Sequence, residues 1–274
     1  MSRPRSLTGQ VVAITGGARG IGAEIAAGFS AAGAQVAIGD IHLDEAQATG
    51  SRLGVRAYRL DVADPESQKE FLTAVARDLG PVDIVVGNAG LMWVGPFEQE
   101  PDSAARAQIE VNLLGVINGI KAAAPAMVAR GSGHLITVAS AGSILPTPGE
   151  ATYAATKHGV LGYLKAVRAE MRGSGVRVTA IMPGVVDTTL AAGTSSGAAK
   201  LLTPAEVARA VVKAAARPRF EVTVPGFIGP GVRVVSLLPT PIRDRIFAAL
   251  VPNQLDAKKN QRSGYEASFT AQER

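Results

Sequence analysis

The chain of 274 residues contains no cysteine, which excludes disulfides and thiolate metal sites. Its three histidines, His42, His134 and His158, are too scattered to form a ligand cluster, so no metal is expected. Aromatic residues make up 4 % of the chain, so its core must be built from Val, Ile, Leu and Ala. Redox chemistry in such a chain needs a borrowed cofactor. No run is expected to reach the ~18–20 apolar residues of a membrane span. The N-terminal "MSRPRSLTGQVVAIT" leads into a Gly-rich turn rather than a small-residue cleavage site. A soluble, cytoplasmic protein is the expectation.

What is present suits one α/β domain. Apolar residues reach 47 % and charged residues 19 %, enough to bury a sizeable core and too little charge for disorder. No Pro/Ser-rich linker divides the first 220 residues. The net charge of +5 is uneven: residues 200–274 hold 12 Lys+Arg against 6 Asp+Glu, leaving 16 against 17 before them. The basic residues are not interleaved with stacking aromatics, which argues against a nucleic-acid partner.

Short β-rich runs alternate with helical patterns. The runs are 10–15, 34–40, 55–61, 82–88, 133–140 and 176–183, with a seventh in "FEVTVPG"; several are apolar without alternation, as in strands covered on both faces. Helices are expected over 20–32, 65–79, 101–129, 151–172 and 204–216, and Asp64-Pro65 is a start signal. Repeated units of this kind predict a three-layer, doubly wound parallel sheet of Rossmann type with about seven strands. Residues 1–228 form its single catalytic domain and 229–274 a C-terminal extension. The stretch 184–200 reads as a mobile loop or a short weak helix.

Directly after the first strand stands "TGGARGIGAEIA". Glycines 16, 20 and 22 allow a tight turn and close approach of backbone to ligand, and the following helix N-terminus suits a pyrophosphate. Asp40 ends the second strand about 20 residues on, where an acid accepts hydrogen bonds from an adenosine ribose and repels a 2′-phosphate. NAD is therefore favoured, with NADP as the alternative because Arg19 is a cation in the turn. Asp40 could equally be a cap for the helix near Asp44.

In sequence order, "TGGARGIG" (15–22), "GNAG" (87–90), Asn112 in "VNLLG", Ser140, "YAATK" (153–157) and "PGVVDT" (183–188) resemble the short-chain dehydrogenases/reductases with the TGxxxGxG turn, over about residues 7–220. The resemblance implies that Thr15, Gly16, Arg19, Gly20, Ile21 and Gly22 form the cofactor turn and that Asp40 is the ribose acid. It implies an adenine contact at Asp61 and Val62, a cleft lining at Asn88, Ala89 and Gly90, and a nicotinamide clamp at Pro183, Gly184, Val186 and Thr188. It gives Lys157 the nicotinamide ribose and places Tyr153 beside the cofactor. Asn112 supports a proton relay, and the chain is expected to form a homodimer or homotetramer. Gly87 stands where many members have a second Asn.

The chemistry of the pair can be read directly. Tyrosine near its ordinary pKa of ~10 is a poor base, and Lys157, four residues on, shares its helix face and can lower that value in a desolvated site. Tyr153 is the expected acid/base, with Lys157 depressing its pKa. Ser140, at the carboxyl edge of the sheet, orients the substrate oxygen, with Ser143 as the less favoured alternative. Met92, Trp93, Val94, Ile144, Leu145 and Leu190, together with Ser140 and Tyr153, are the expected substrate contacts. They predict a hydrophobic secondary alcohol or ketone, steroid-, retinoid- or lipid-like, although Trp93 could equally pack against a neighbouring loop. The extension can cover the cleft, form a subunit contact, or lie on a membrane surface. Two other readings stay open: a 3-oxoacyl thioester reductase, and an NAD-binding regulator without catalysis.

Overall fold

Unbroken apolar runs become strands sandwiched between helices. The computed structural model describes residues 4–197, 200–255, 257 and 262–270. Residues 198 and 199 of the 184–200 stretch, and 256, 258–261 and 271–274 of the extension, lie outside the described residues. The strands are β1 (Val11–Thr15), β2 (Gln35–Asp40), β3 (Arg56–Arg59), β4 (Ile84–Gly87), β5 (Gly133–Val138), β6 (Val176–Pro183) and β7 (Glu221–Val224). They form one parallel sheet in the order β3-β2-β1-β4-β5-β6-β7. Ala13 of β1 stands opposite both Ala37 and Val85, so the strand order reverses between β1 and β4. A crevice at the carboxyl ends of the strands is expected there.

Helices α1 (Gly20–Ala31), α2 (Leu43–Leu53) and α7 (Pro204–Ala216) cover one face, burying Ile25, Phe29, Ala46, Val207 and Val211 with Ile14 and Ile38. On the other face lie α3 (Pro65–Leu79), α5 (Gly115–Arg130) and α6 (Ala151–Glu170), packing Phe71, Ile120, Met127, Val160 and Leu164 on Ala13, Val85 and Leu135. Start signals act as their chemistry requires. Asp64 accepts from Glu66 N ahead of Pro65, and Thr203 and Glu206 form a reciprocal capping box.

The stretch 101–129 differs from expectation. It is α4 (Asp102–Gln108), a wide π turn (Ile109–Leu114) and α5 run together. Contrary to the reading that no segment is long and apolar enough to cross a membrane, Asp102–Arg130 passes that test of length and composition. Its apolar residues Val116, Ile120, Ala123 and Met127 are spent on the sheet. The 184–200 stretch contains a 3-10 turn, Thr189–Ala191, and a bridge from Val186 to Leu202. Beyond β7, α8 (Ile228–Val235) and α9 (Thr240–Leu250) are separated at Pro239, with Pro241 in the first turn of α9. The chain then returns to the carboxyl edge of the sheet, where α10 (Ser263–Thr270) lies against α4.

Candidate active site

The turn after β1 is sewn to the end of β4 where the strand order reverses. Thr15 Oγ1 accepts from Asn88 N (3.0 Å) and Ala89 N (3.1 Å), while Asn88 Nδ2 donates to Thr15 O (3.1 Å) and Gly16 O (3.0 Å). A Cβ on Gly16, whose φ is +66°, would meet Ala89 Cα at 2.8 Å, and one on Gly22 would meet Gly16 O at 2.0 Å. No side chain fits at either position. Arg19 occupies the N-cap of α1 without capping it by its side chain, so the first-turn amides remain available to an anion. The Asp40 carboxylate accepts from Ala18 N and His42 N, both at 3.1 Å, and Arg19 is drawn 3.4 Å from Glu45. Asp40 is thus a brace of the turn as well as a cleft residue.

Above this turn opens a cleft of about 1250 Å³ lined by Gly16, Arg19, Gly20, Ile21, Asp40, Asp61, Val62, Asn88, Ala89, Gly90, Pro183, Gly184, Val186 and Thr188. Thr15 and Gly22 stand behind the lining and shape it. Side-chain-free backbone, free helix amides and an acid at the end of β2 fit a dinucleotide.

Ser140, Tyr153 and Lys157 line the same cleft. Tyr153 and Lys157 are 8 % and 4 % exposed, and Lys157 Nζ lies 5.5 Å from the phenol ring centroid and 3.4 Å from Val138 O. Ser140 Oγ accepts from Gly142 N (3.0 Å), and its hydroxyl lies close enough to the Tyr153 phenol to favour the phenolate. The expected depression of the Tyr153 pKa is not what this site shows. Burial pushes the phenol above its ordinary value, the negative field of Glu150 adds to this, and the nearby Ser140 hydroxyl opposes it. Burial also brings Lys157 down to about 8. The same dry environment penalises both charged forms, and that penalty exceeds the pull of an ammonium at this distance.

Asn112 does not face the cleft. It lies fully buried in the π turn, where Oδ1 accepts from Leu91 N (2.7 Å) and Nδ2 donates to Leu91 O (2.8 Å) and Thr156 Oγ1 (3.2 Å). It still lies near Lys157, since a Cβ on Gly90 would stand 3.2 Å from Asn112 Oδ1 and 3.7 Å from Lys157 Nζ. Ser143 is buried away from the cleft, with no hydrogen bond to its hydroxyl among the described residues.

At the substrate end, Met92, Leu145 and Leu190 line the cleft. Trp93 and Ile144 do not, and this corrects the expected substrate set. Trp93 packs with Leu91, Ala104, Ala107 and Tyr265, because successive side chains of an extended loop point to opposite sides. Ile144 packs into the core beneath α6. Further lining residues are Thr147 and Glu150 before Tyr153, Phe227 after β7, and Val232, Leu250 and Tyr265 from the extension.

Arg262, 1 % exposed, ties this end together. It donates to Met92 O (2.8 Å), Leu190 O and Ala192 O (both 2.9 Å) and to Glu266 (2.7 Å). Tyr265 OH accepts from Met92 N at 3.2 Å. Gln254 donates to Ser195 O (2.7 Å) and accepts from Ser195 N (2.8 Å), while its own N–H donates to Pro148 O (3.0 Å).

A family model described as short chain dehydrogenase matches residues 10–199. Among curated proteins, the chain is 38 % identical over 193 residues to the 2,5-dichloro-2,5-cyclohexadiene-1,4-diol dehydrogenase LinX of Sphingobium indicum, over 68 % of this chain and 76 % of that one. It is 32 % identical over 228 residues to the glycine betaine reductase ATRR of Emericella nidulans; this is 77 % of this chain and 18 % of that one, so the chain spans less than a fifth of that relative. Among solved structures, an alcohol dehydrogenase of the archaeon Thermococcus sibiricus, complexed with 5-hydroxy-NADP, superposes with a TM-score of 0.68 at 31 % identity, covering 78 % of this chain and 95 % of that one. The family match stops short of α7 and of the extension, some of whose residues line the cleft.

Proposed function

The chain belongs to the short chain dehydrogenase family, and from that premise we propose that it interconverts a hydrophobic secondary alcohol and its ketone with NAD. The observation that carries this reading is the convergence of half-buried Ser140 with buried Tyr153 and Lys157 on the cleft that begins at the Gly16–Gly22 turn. The bound nicotinamide supplies or takes the hydride. Tyr153 holds the proton that the ketone oxygen receives in reduction, and its raised pKa keeps that proton in place until an alkoxide forms. In oxidation the phenolate is supported by the Lys157 ammonium and the Ser140 hydroxyl. Ser140 orients the reacting oxygen, and Asn112 keeps the Leu91 loop and the space beside Lys157 open for proton return.

Asp40 favours NAD over NADP at the adenosine end, and the NADP derivative held by the archaeal alcohol dehydrogenase keeps NADP as the alternative. The mostly apolar substrate end fits a hydrophobic ring or chain, and LinX, named as a dehydrogenase of a cyclic diol, acts on a substrate of that kind. The extension serves as cleft cover. Tyr153→Phe is expected to bind NADH like the wild type, by cofactor fluorescence, while turnover of a panel of steroid, retinoid and aliphatic secondary alcohols falls about 10²–10⁴-fold. Undiminished turnover in that variant would sink the assignment.

A further inference from the structure

One buried carboxyl in the cleft has no role in this reaction beyond its field at Tyr153. Glu150 is 7 % exposed, precedes α6 by one residue and lies three before Tyr153. An acid at that position ordinarily caps its helix, yet the Glu150 side chain makes no capping bond. Its backbone is spent, the N–H on Thr147 O (3.1 Å) and the carbonyl on Ala154 N (2.8 Å). The carboxyl is left to face the cleft.

The charged and polar groups around it do not satisfy it. Arg262 lowers its pKa from a distance but forms no ion pair with it, since that guanidinium is engaged by Glu266 and three carbonyls. The Thr147 hydroxyl lies close enough to favour the carboxylate. Even so, it is buried and makes no hydrogen bond of normal geometry among the described residues. The Glu150 carboxylate in turn opposes ionisation of the Tyr153 phenol. A carboxyl and a hydroxyl thus stand side by side, poorly satisfied, in the wall of a cleft that is otherwise mostly apolar. Such a pair is costly unless a ligand completes it.

We propose that Glu150, with Thr147, receives a second hydroxyl of the substrate, so that the preferred substrates are apolar diols and their hydroxyketones rather than simple alcohols. The proposal rests on the reading of Tyr153 as the acid/base. Glu150, at the N-cap of α6 and three residues before Tyr153, lines the same cleft, which places the second hydroxyl near the reacting carbon. Burial pushes the Glu150 carboxyl up to about 7, so near neutral pH both protonation states are populated. A hydroxyl both donates and accepts and so matches either state, whereas an ammonium needs the anion.

The test compares cyclohexane-1,2-diol, cyclohexane-1,4-diol and cyclohexanol with NAD and the full-length chain, in the wild type, Glu150→Leu and Glu150→Gln. The wild type is expected to favour at least one diol over cyclohexanol by about 10-fold or more in kcat/KM. Glu150→Leu is expected to remove that preference, chiefly through KM, with NADH affinity unchanged, while any effect of the lost charge on Tyr153 moves diol and cyclohexanol turnover alike and leaves their ratio to report the contact; Glu150→Gln restores part of the preference. A diol-to-cyclohexanol ratio that survives in Glu150→Leu overturns the proposal. Calorimetric titration of the diols into the NADH complex is read independently of turnover. Absence of turnover on every alcohol tests the dehydrogenase reading, whereas equal diol affinity in wild type and Glu150→Leu rejects the role of Glu150 alone.

Discussion

Lys157 shows what the site demands of a single residue. Its amine is buried with one weak carbonyl contact, and its pKa falls from an ordinary 10.5 to about 8. In the folded chain the charged form is therefore disfavoured. The cost is present in full below pH 8, shrinks as pH rises, and is gone above 10.5, where both states are neutral. Lys157→Met is expected to raise stability at pH 7 by up to about 3 kcal/mol and to abolish turnover. Urea unfolding at pH 7 and pH 10.5 checks the sign: the gain must vanish at the higher pH. Stability is given up at this position for a cation beside the phenol, as is common where function needs a desolvated charge.

At the scale of elements, Arg262 acts as a fastening rather than a surface charge. It joins the loop after β4, the turn at Leu190–Ala192 and α10, so Arg262→Ala should free all three. The expected outcome is a KM for apolar alcohols raised about 10-fold or more, with NADH affinity within twofold of wild type, measured by steady-state kinetics and fluorescence titration. The contrast with the core explains what was legible beforehand. The ranges 176–183, 65–79 and 204–216 were all readable to the residue, because apolar runs, Asp64-Pro65 and the Thr203–Glu206 box are local signals. The Tyr153–Lys157 pair and Ser140 were legible as a motif. The π turn that buries Asn112 was not, since nothing local distinguishes it from ordinary helix. Neither was the docking of the extension, because Arg262 and Gln254 are recognised by backbone carbonyls nearly 60 or more residues away in sequence. Trp93 and Ile144 were misplaced because residue type does not reveal which side of an extended loop faces the cleft.

For the whole molecule, two buried groups pull acid stability in opposite directions. His134 of β5, hydrogen-bonded to Thr179 (2.8 Å), is held neutral down to about pH 3 by burial and by Arg177. Its unfolded counterpart takes up a proton below about 6.5, so stability is lost between 6.5 and 3. Glu150 behaves oppositely: its folded pKa of about 7 lies above the ordinary 4.5, so its cost is full above 7 and disappears on acidification to 4.5. These two slopes should offset each other between about pH 6.5 and 4.5. Glu150→Gln is expected to raise stability at pH 8 and to unmask a loss of about 1.4 kcal/mol per pH unit in that window. Chemical denaturation in steps of half a pH unit would show it, and parallel profiles in the two proteins would count against it.

The fastening of the extension has an evolutionary corollary. Arg262 and Gln254 grip Met92 O, Leu190 O, Ala192 O and the Ser195 amide through main-chain atoms, which every residue type carries. Side chains in those loops are therefore free to drift without loosening the roof above them. Substrate preference can be rewritten, by selection or by an engineer, while closure of the cleft is inherited unchanged.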